Sequence, residues 1–67
     1  MVNTLKLKAV ILERGMTQEQ VADARGISPV TLNRKINNKR EFTVSEVKQL
    51  QTILKLTDEE VRLIFLP

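Results

Sequence analysis

The sequence predicts an all-α fold of five short helices, and three observations carry that prediction. A local pattern of an apolar residue, a Ser or Thr, three residues and a second apolar residue occurs as MTQEQV, ISPVTL, FTVSEV and LTDEEV. Each reads as a helix start, with the hydroxyl as N-cap and the two apolar residues as a hydrophobic staple around it. Between these starts apolar residues recur at helical spacing, and no stretch alternates as a strand would over any length. No low-complexity segment or linker interrupts the 67 residues, so residues 1–67 read as one domain.

The first helix runs from about Thr4 to Arg14, turns Leu7, Val10 and Ile11 inward, and closes on Gly15 as a left-handed residue. The second starts at the cap Thr17 inside the Met16/Val21 staple and turns Val21 and Ala22 inward; nothing protrudes from Ala22, which suits a close helix crossing. The third starts at Ser28, with Pro29 at the first helical position, where its missing N–H costs nothing, and Ile27/Leu32 as staple. Leu32 and Ile36 are its inward residues. The fourth follows Thr43 within Phe42/Val47 and contributes Val47, Leu50, Ile53 and Leu54. The fifth follows Thr57 within Leu56/Val61 and contributes Val61, Ile64 and Phe65. Gln20, Glu46 and Glu60 stand three residues after their caps and can each complete a capping box. The starts are 11, 15 and 14 residues apart, which marks helices and not a solenoid repeat.

Composition narrows the function. There is no Cys and no His, which removes disulfides, thiolate metal sites, the usual general base and the commonest metal ligand. Phe42 and Phe65 are the only aromatics. So few residues can hardly enclose a pocket, so neither catalysis nor a metal or cofactor is expected. No apolar run is long enough to span a bilayer, and the N-terminus lacks the features of a signal peptide, so a cytoplasmic protein is expected. The net charge is +3, which a solvated surface accounts for. Its distribution says more: Arg25, Arg34, Lys35, Lys39 and Arg40 cluster mid-chain, while Asp58, Glu59 and Glu60 sit together near the end. That asymmetry points to one face meeting an anion such as nucleic acid.

Only RGIS joins the second and third helices, too few residues for an antiparallel return but enough for a helix-turn-helix. The segment TQEQVADARGISPVTLNRKINNKR resembles the helix-turn-helix of the phage lambda repressor and Cro family, also called the xenobiotic-response-element type. Gln18, Ala22, Gly26, Ile27 and Leu32 fall at that motif's intervals, and KREFTVSEVKQLQTIL and LTDEEVRLIFL look like the family's fourth and fifth helices. The pattern is most similar to small Cro-like regulators of phages and prophages of Gram-positive bacteria. The resemblance implies a compact five-helix lambda-repressor-like domain that binds an operator in double-stranded DNA, with helix 3 in the major groove, and acts as a repressor. Two positions depart from it. Arg25 and Lys35 stand where the family commonly has apolar residues. A slight rotation of the third helix would bury Ile36 in place of Lys35, whose stem can lie over apolar surface with the ammonium in solvent.

Turning each residue by about 100° sets Arg34 opposite Leu32 and Ile36, with Val30 and Asn37 beside it. A solvated helix face accounts for Asn33, Asn37 and Arg34. It accounts poorly for an outward Val30, which is neither a strong helix former nor a good surface residue. In a major groove Val30 can meet a thymine methyl and Arg34 can grip guanine O6 and N7. By resemblance Pro29 lies at a base-contacting position but offers only shape or apolar contact, and Thr31 and Asn33 are secondary contacts or locally bonded polar residues. Gln18, near a helix N-terminus, is a phosphate contact by resemblance or an ordinary first-turn residue. Asn37, Asn38, Lys39 and Arg40 match the family's backbone-contacting loop, or form a polar turn.

Leu63 and Leu66 are left over from the inward face of the fifth helix, as Leu5 and Leu12 are from the first. Leu63 and Leu66 are candidates for a two-fold homodimer interface, and the alternative is a satellite of the monomer core. No effector domain fits in the chain, so no small-molecule effector is expected. The rival function is an antitoxin-like or adaptor protein-interaction module that retains the fold; RNA binding is disfavoured because no exposed aromatic is expected to stack on bases.

Overall fold

The capping residues set the helix starts in the computed structural model, which describes residues 1–66. The helices are α1 Thr4–Glu13, α2 Gln18–Arg25, α3 Pro29–Ile36, α4 Val44–Leu54 and α5 Asp58–Phe65, and no strand occurs among the described residues. Thr17, Ser28, Thr43 and Thr57 all adopt extended backbone, and each side chain accepts from a backbone N–H three residues on. The capping boxes through Gln20, Glu46 and Glu60 are all closed. Each such cap contributes about 1 kcal/mol, a sizeable share of the stability of so short a chain. Helix α1 is capped by Asn3, which accepts from the Lys6 N–H at 3.1 Å.

The helix ends share a second device. After α1, Met16 N–H reaches back to Ile11 O and Gly15 N–H to Leu12 O; α2, α3 and α4 end in the same paired pattern, turning at Gly26, Asn38 and Lys55. All four turning residues have positive φ, from 52° to 73°. This is the Schellman arrangement, which satisfies the carbonyls that a helix end leaves without partners. α1 therefore stops at Glu13, one residue before the expected Arg14. Arg14 is turned to tie three elements together, donating from Nε to Leu54 O at 2.9 Å and from Nη2 to Glu60 Oε1 at 2.7 Å.

The core is built from Leu7, Val10, Ile11, Val21, Ala22, Leu32, Ile36, Leu50, Leu54 and Ile64, all read from helical spacing, with Val2 and Leu56 added. Val47, Ile53, Val61 and Phe65 are only half-buried, because an eight- to eleven-residue helix fully covers one narrow stripe and these lie along its margin. Phe42 and Phe65 meet edge to face at 5.4 Å between ring centres and close the α3–α4 loop against α5. Leu5, Leu12, Leu63 and Leu66 are 82%, 77%, 52% and 57% exposed, so none of them forms a satellite of the monomer core.

Candidate nucleic-acid interface

The turn between α2 and α3 starts at Gly26, whose φ of 73° closes α2. A Cβ there would meet nothing within 4 Å, so it is the left-handed backbone, not crowding, that favours glycine. Ile27 then packs against the core and Ser28 caps α3. Three residues thus carry the chain from one helix to the next, with Leu32 and Ile36 holding α3 from beneath.

On the opposite side of α3, Val30 is 60% exposed and Arg34 is exposed, its side chain making no ion pair among the described residues. Pro29 and Asn33 are exposed as well, while Thr31 is half-buried and its hydroxyl accepts from Ser28 Oγ at 2.9 Å. Asn37 Nδ2 donates to Asn33 O at 2.9 Å and lies 3.2 Å from Asn33 Oδ1; Asn33 Nδ2 in turn points to Gln18 Oε1 at 3.4 Å. Gln18 therefore turns its oxygen toward α3, which leaves its own Nε2 to donate to another group. The structure brings Gln18, Asn33 and Asn37 into one polar chain along the flank of α3.

The loop after α3 folds back on it, since the N–H groups of Lys39 and Arg40 both donate to Arg34 O, at 2.8 and 3.3 Å. The Lys39 and Arg40 side chains are exposed. Asn38 is placed differently. Its Oδ1 accepts from Val2 N–H at 2.7 Å and its Nδ2 donates to Val2 O at 3.0 Å. The N-terminal segment is fastened at two further points, Asn3 N–H to Ile64 O at 2.7 Å and Thr4 Oγ1 to Ile36 O at 2.6 Å. Residues 2–4 thus clip the loop and the end of α3 to α5.

Two members of the mid-chain basic cluster do not belong to an outward face. Lys35 does not send its ammonium to solvent: the side chain is 13% exposed and Nζ meets Glu46 Oε2. Arg25 Nη2 meets the same carboxylate oxygen at 2.8 Å. Glu46, the capping-box residue of α4, is 8% exposed, and its other oxygen accepts from Thr43 N–H at 2.8 Å. The expected snorkelling fails because a buried carboxylate on α4 supplies a partner that solvent would otherwise have to replace. Phe42 lies 5.9 Å from Lys35 Nζ and adds its ring face to the pocket. Burial pushes the Glu46 carboxyl up, but Lys35, the Thr43 N–H and Arg25 outweigh it, and its pKa falls from 4.5 to about 2. The Glu60 carboxyl is also held below its usual value, chiefly by the Thr57 N–H and then by Arg14.

A folded-state pKa below the unfolded one gives stability that is present above the unfolded value and lost as pH falls through the folded value. Melting temperature should therefore drop between about pH 4.5 and pH 2, and the combined R25M, K35M and E46Q variant, which loses the carboxylate without stranding its two cations, should flatten that drop. Thermal melts by circular dichroism across this range check it; an unchanged acid profile in the variant would remove Glu46 from the account.

Among the described residues no group of His, Cys, Asp or Glu is placed to hold a metal ion, and no helix is long and apolar enough to cross a membrane. Two helices joined through Gly26, Ile27 and Ser28, the second with an apolar and guanidinium face turned outward, define a helix-turn-helix protein. A helix-turn-helix family model matches residues 7–61, from the inward face of α1 into the first half of α5. The chain belongs to that family, and its all-α architecture is the five-helix, lambda-repressor-like fold. It is a DNA-binding regulator of the general kind the family comprises, and such proteins are typically binding proteins and not enzymes. No curated protein and no solved structure matches the chain.

Proposed function

We propose that this protein is a sequence-specific repressor of the small Cro-like kind found in phages and prophages of Gram-positive bacteria, acting in the cytoplasm. Residues 1–67 form one DNA-binding domain in this reading, and repression is by occupancy of an operator that excludes polymerase. α3 enters the major groove, where Val30 packs on a thymine methyl and Arg34 grips a guanine. Pro29 adds shape, and Thr31 and Asn33 make secondary contacts. Gln18, Asn37, Asn38, Lys39 and Arg40 make up the phosphate-facing set, in which Asn38 shapes the loop and Lys39 and Arg40 carry its charge. The observation that carries the reading is the pairing of an exposed Val30 with an Arg34 that has no ion-pair partner among the described residues, on the side of α3 away from the core. A gel shift on short duplexes over a range of salt tests it. Binding that weakens steeply with salt supports it, and the absence of any shift favours a protein-interaction module instead.

Phosphate holding should be separable from base reading. Lys39→Ala should weaken specific and nonspecific duplexes alike and lower the magnitude of the log-affinity versus log-salt slope by about 1. Titrations at four or five salt concentrations measure this, and a loss confined to one sequence would make Lys39 a reader.

The exposed Leu63 and Leu66 support assembly as a homodimer through α5. Sedimentation at micromolar concentrations, with and without operator, should show two protomers per duplex. A protein that stays a monomer on its selected DNA would remove the dimer from the proposal.

A further inference from the structure

We infer that Lys35, Arg25 and Glu46 are positioning residues that set the roll of α3 about its own axis, and so decide which bases its outward face can reach. The inference rests on the proposed reading of α3 as the recognition helix. Leu32 and Ile36 fix how deeply α3 sits, but two apolar side chains on one stripe resist rotation weakly, since the hydrophobic effect has no direction. Rotation is opposed at the flanks. Lys35 lies roughly 60° to one side of Leu32 on the helix and reaches Glu46 on α4; Asn33 lies roughly 100° to the other side and faces Gln18 on α2 at 3.4 Å. Arg25 holds Glu46 from α2 at 2.8 Å, and Thr43 N–H holds its second oxygen, so the anchor itself cannot swing.

A small roll matters because the outward side chains stand well off the helix axis. Groups at the outer radius of a helix, about 5–6 Å, move by about 2 Å for a roll of about 20°. A displacement of that size breaks a bidentate guanine contact, whose hydrogen bonds tolerate only a few tenths of an ångström. Stability alone does not account for the cluster, because well-packed apolar residues commonly replace a buried ion pair without loss. Directional bonds from a side chain next to Arg34 in sequence do what apolar packing cannot.

The test compares parent, Lys35→Met and Lys35→Arg on the operator selected by the parent and on unrelated duplexes, across salt. In Lys35→Met, Glu46 keeps Arg25 and Thr43 as partners, so the fold should survive. The ratio of specific to nonspecific affinity should fall by at least about tenfold, with nonspecific affinity and salt slope unchanged. Lys35→Arg, which keeps a donor for Glu46, should restore much of the ratio. A folded Lys35→Met with the parent's ratio overturns the inference, and a salt slope lowered by about 1 makes Lys35 a phosphate contact and overturns it too. If Lys35→Met does not fold, the combined R25M, K35M and E46Q variant decides, since it leaves no buried charge and keeps an acceptor for Thr43 N–H. That variant should fold and lose discrimination; if it also fails to fold, the cluster holds the fold and not the aim, and the inference falls. A parent without sequence preference would defeat the DNA-reading proposal itself, an outcome distinct from all of these.

Discussion

Glu46→Ala should leave much of the protein unfolded at 25 °C. The substitution strands Lys35 and Arg25, whose side chains are only 13% and 16% exposed, without their shared counter-charge. Removing one partner from a buried charge network costs about 3–5 kcal/mol, and opening the α4 capping box adds about 1 kcal/mol. A chain of this length has only about 3–10 kcal/mol in all. Urea titration should find a midpoint near zero denaturant. A midpoint within a small shift of the parent's would mean that water reaches both cations and that the cluster is not buried in solution. The contrast with the fully neutral R25M, K35M and E46Q combination is informative. Breaking the network strands charge, whereas replacing it removes the charge altogether.

Arg34→Ala should have the largest effect on sequence recognition with the least effect on the fold. The side chain points away from Leu32 and Ile36, and Ala is the better helix former. Affinity for the selected operator should fall by about 1–3 kcal/mol per contacted site, roughly 5- to 150-fold, and the preference at one base-pair position should relax. Affinity for unrelated duplexes should change far less. Both proteins must first melt alike. If the variant instead binds every duplex equally less well and its salt slope flattens, Arg34 holds a phosphate, and the outward face of α3 is not the reader.

What the sequence made legible is what is local. Thr17, Ser28, Thr43 and Thr57 declare themselves because a cap and its staple, and for the three threonines the box as well, all lie within six residues. VNTLKL repeats the same pattern with Asn3 as cap and Val2/Leu7, both buried, as staple. A pattern confined to hydroxyl caps misses this start, and with it the burial of Val2. Asn38 in a left-handed turn was equally open to inspection, since Asn tolerates that backbone better than any residue but Gly. The Lys35–Glu46–Arg25 cluster was not legible, because its members are 11 and 21 residues apart and meet only once three helices have packed. Two cations at core-facing positions were the available signal, and they called for an acid on whatever element lay opposite. For the interface, helical periodicity alone separated Val30 and Arg34 from Leu32 and Ile36. It said nothing of the chain from Asn37 through Asn33 to Gln18, which depends on how α2 and α3 lie together.

Selection of bound sequences from a random duplex pool decides whether the outward face of α3 reads double-stranded DNA. The recovered pool should contain an enriched motif with two-fold symmetry, its half-sites about one helical turn or about 34 Å apart, and a guanine position that loses its preference in Arg34→Ala. A pool recovered after several rounds without enrichment over the input, from protein that is folded and helical, would contradict it.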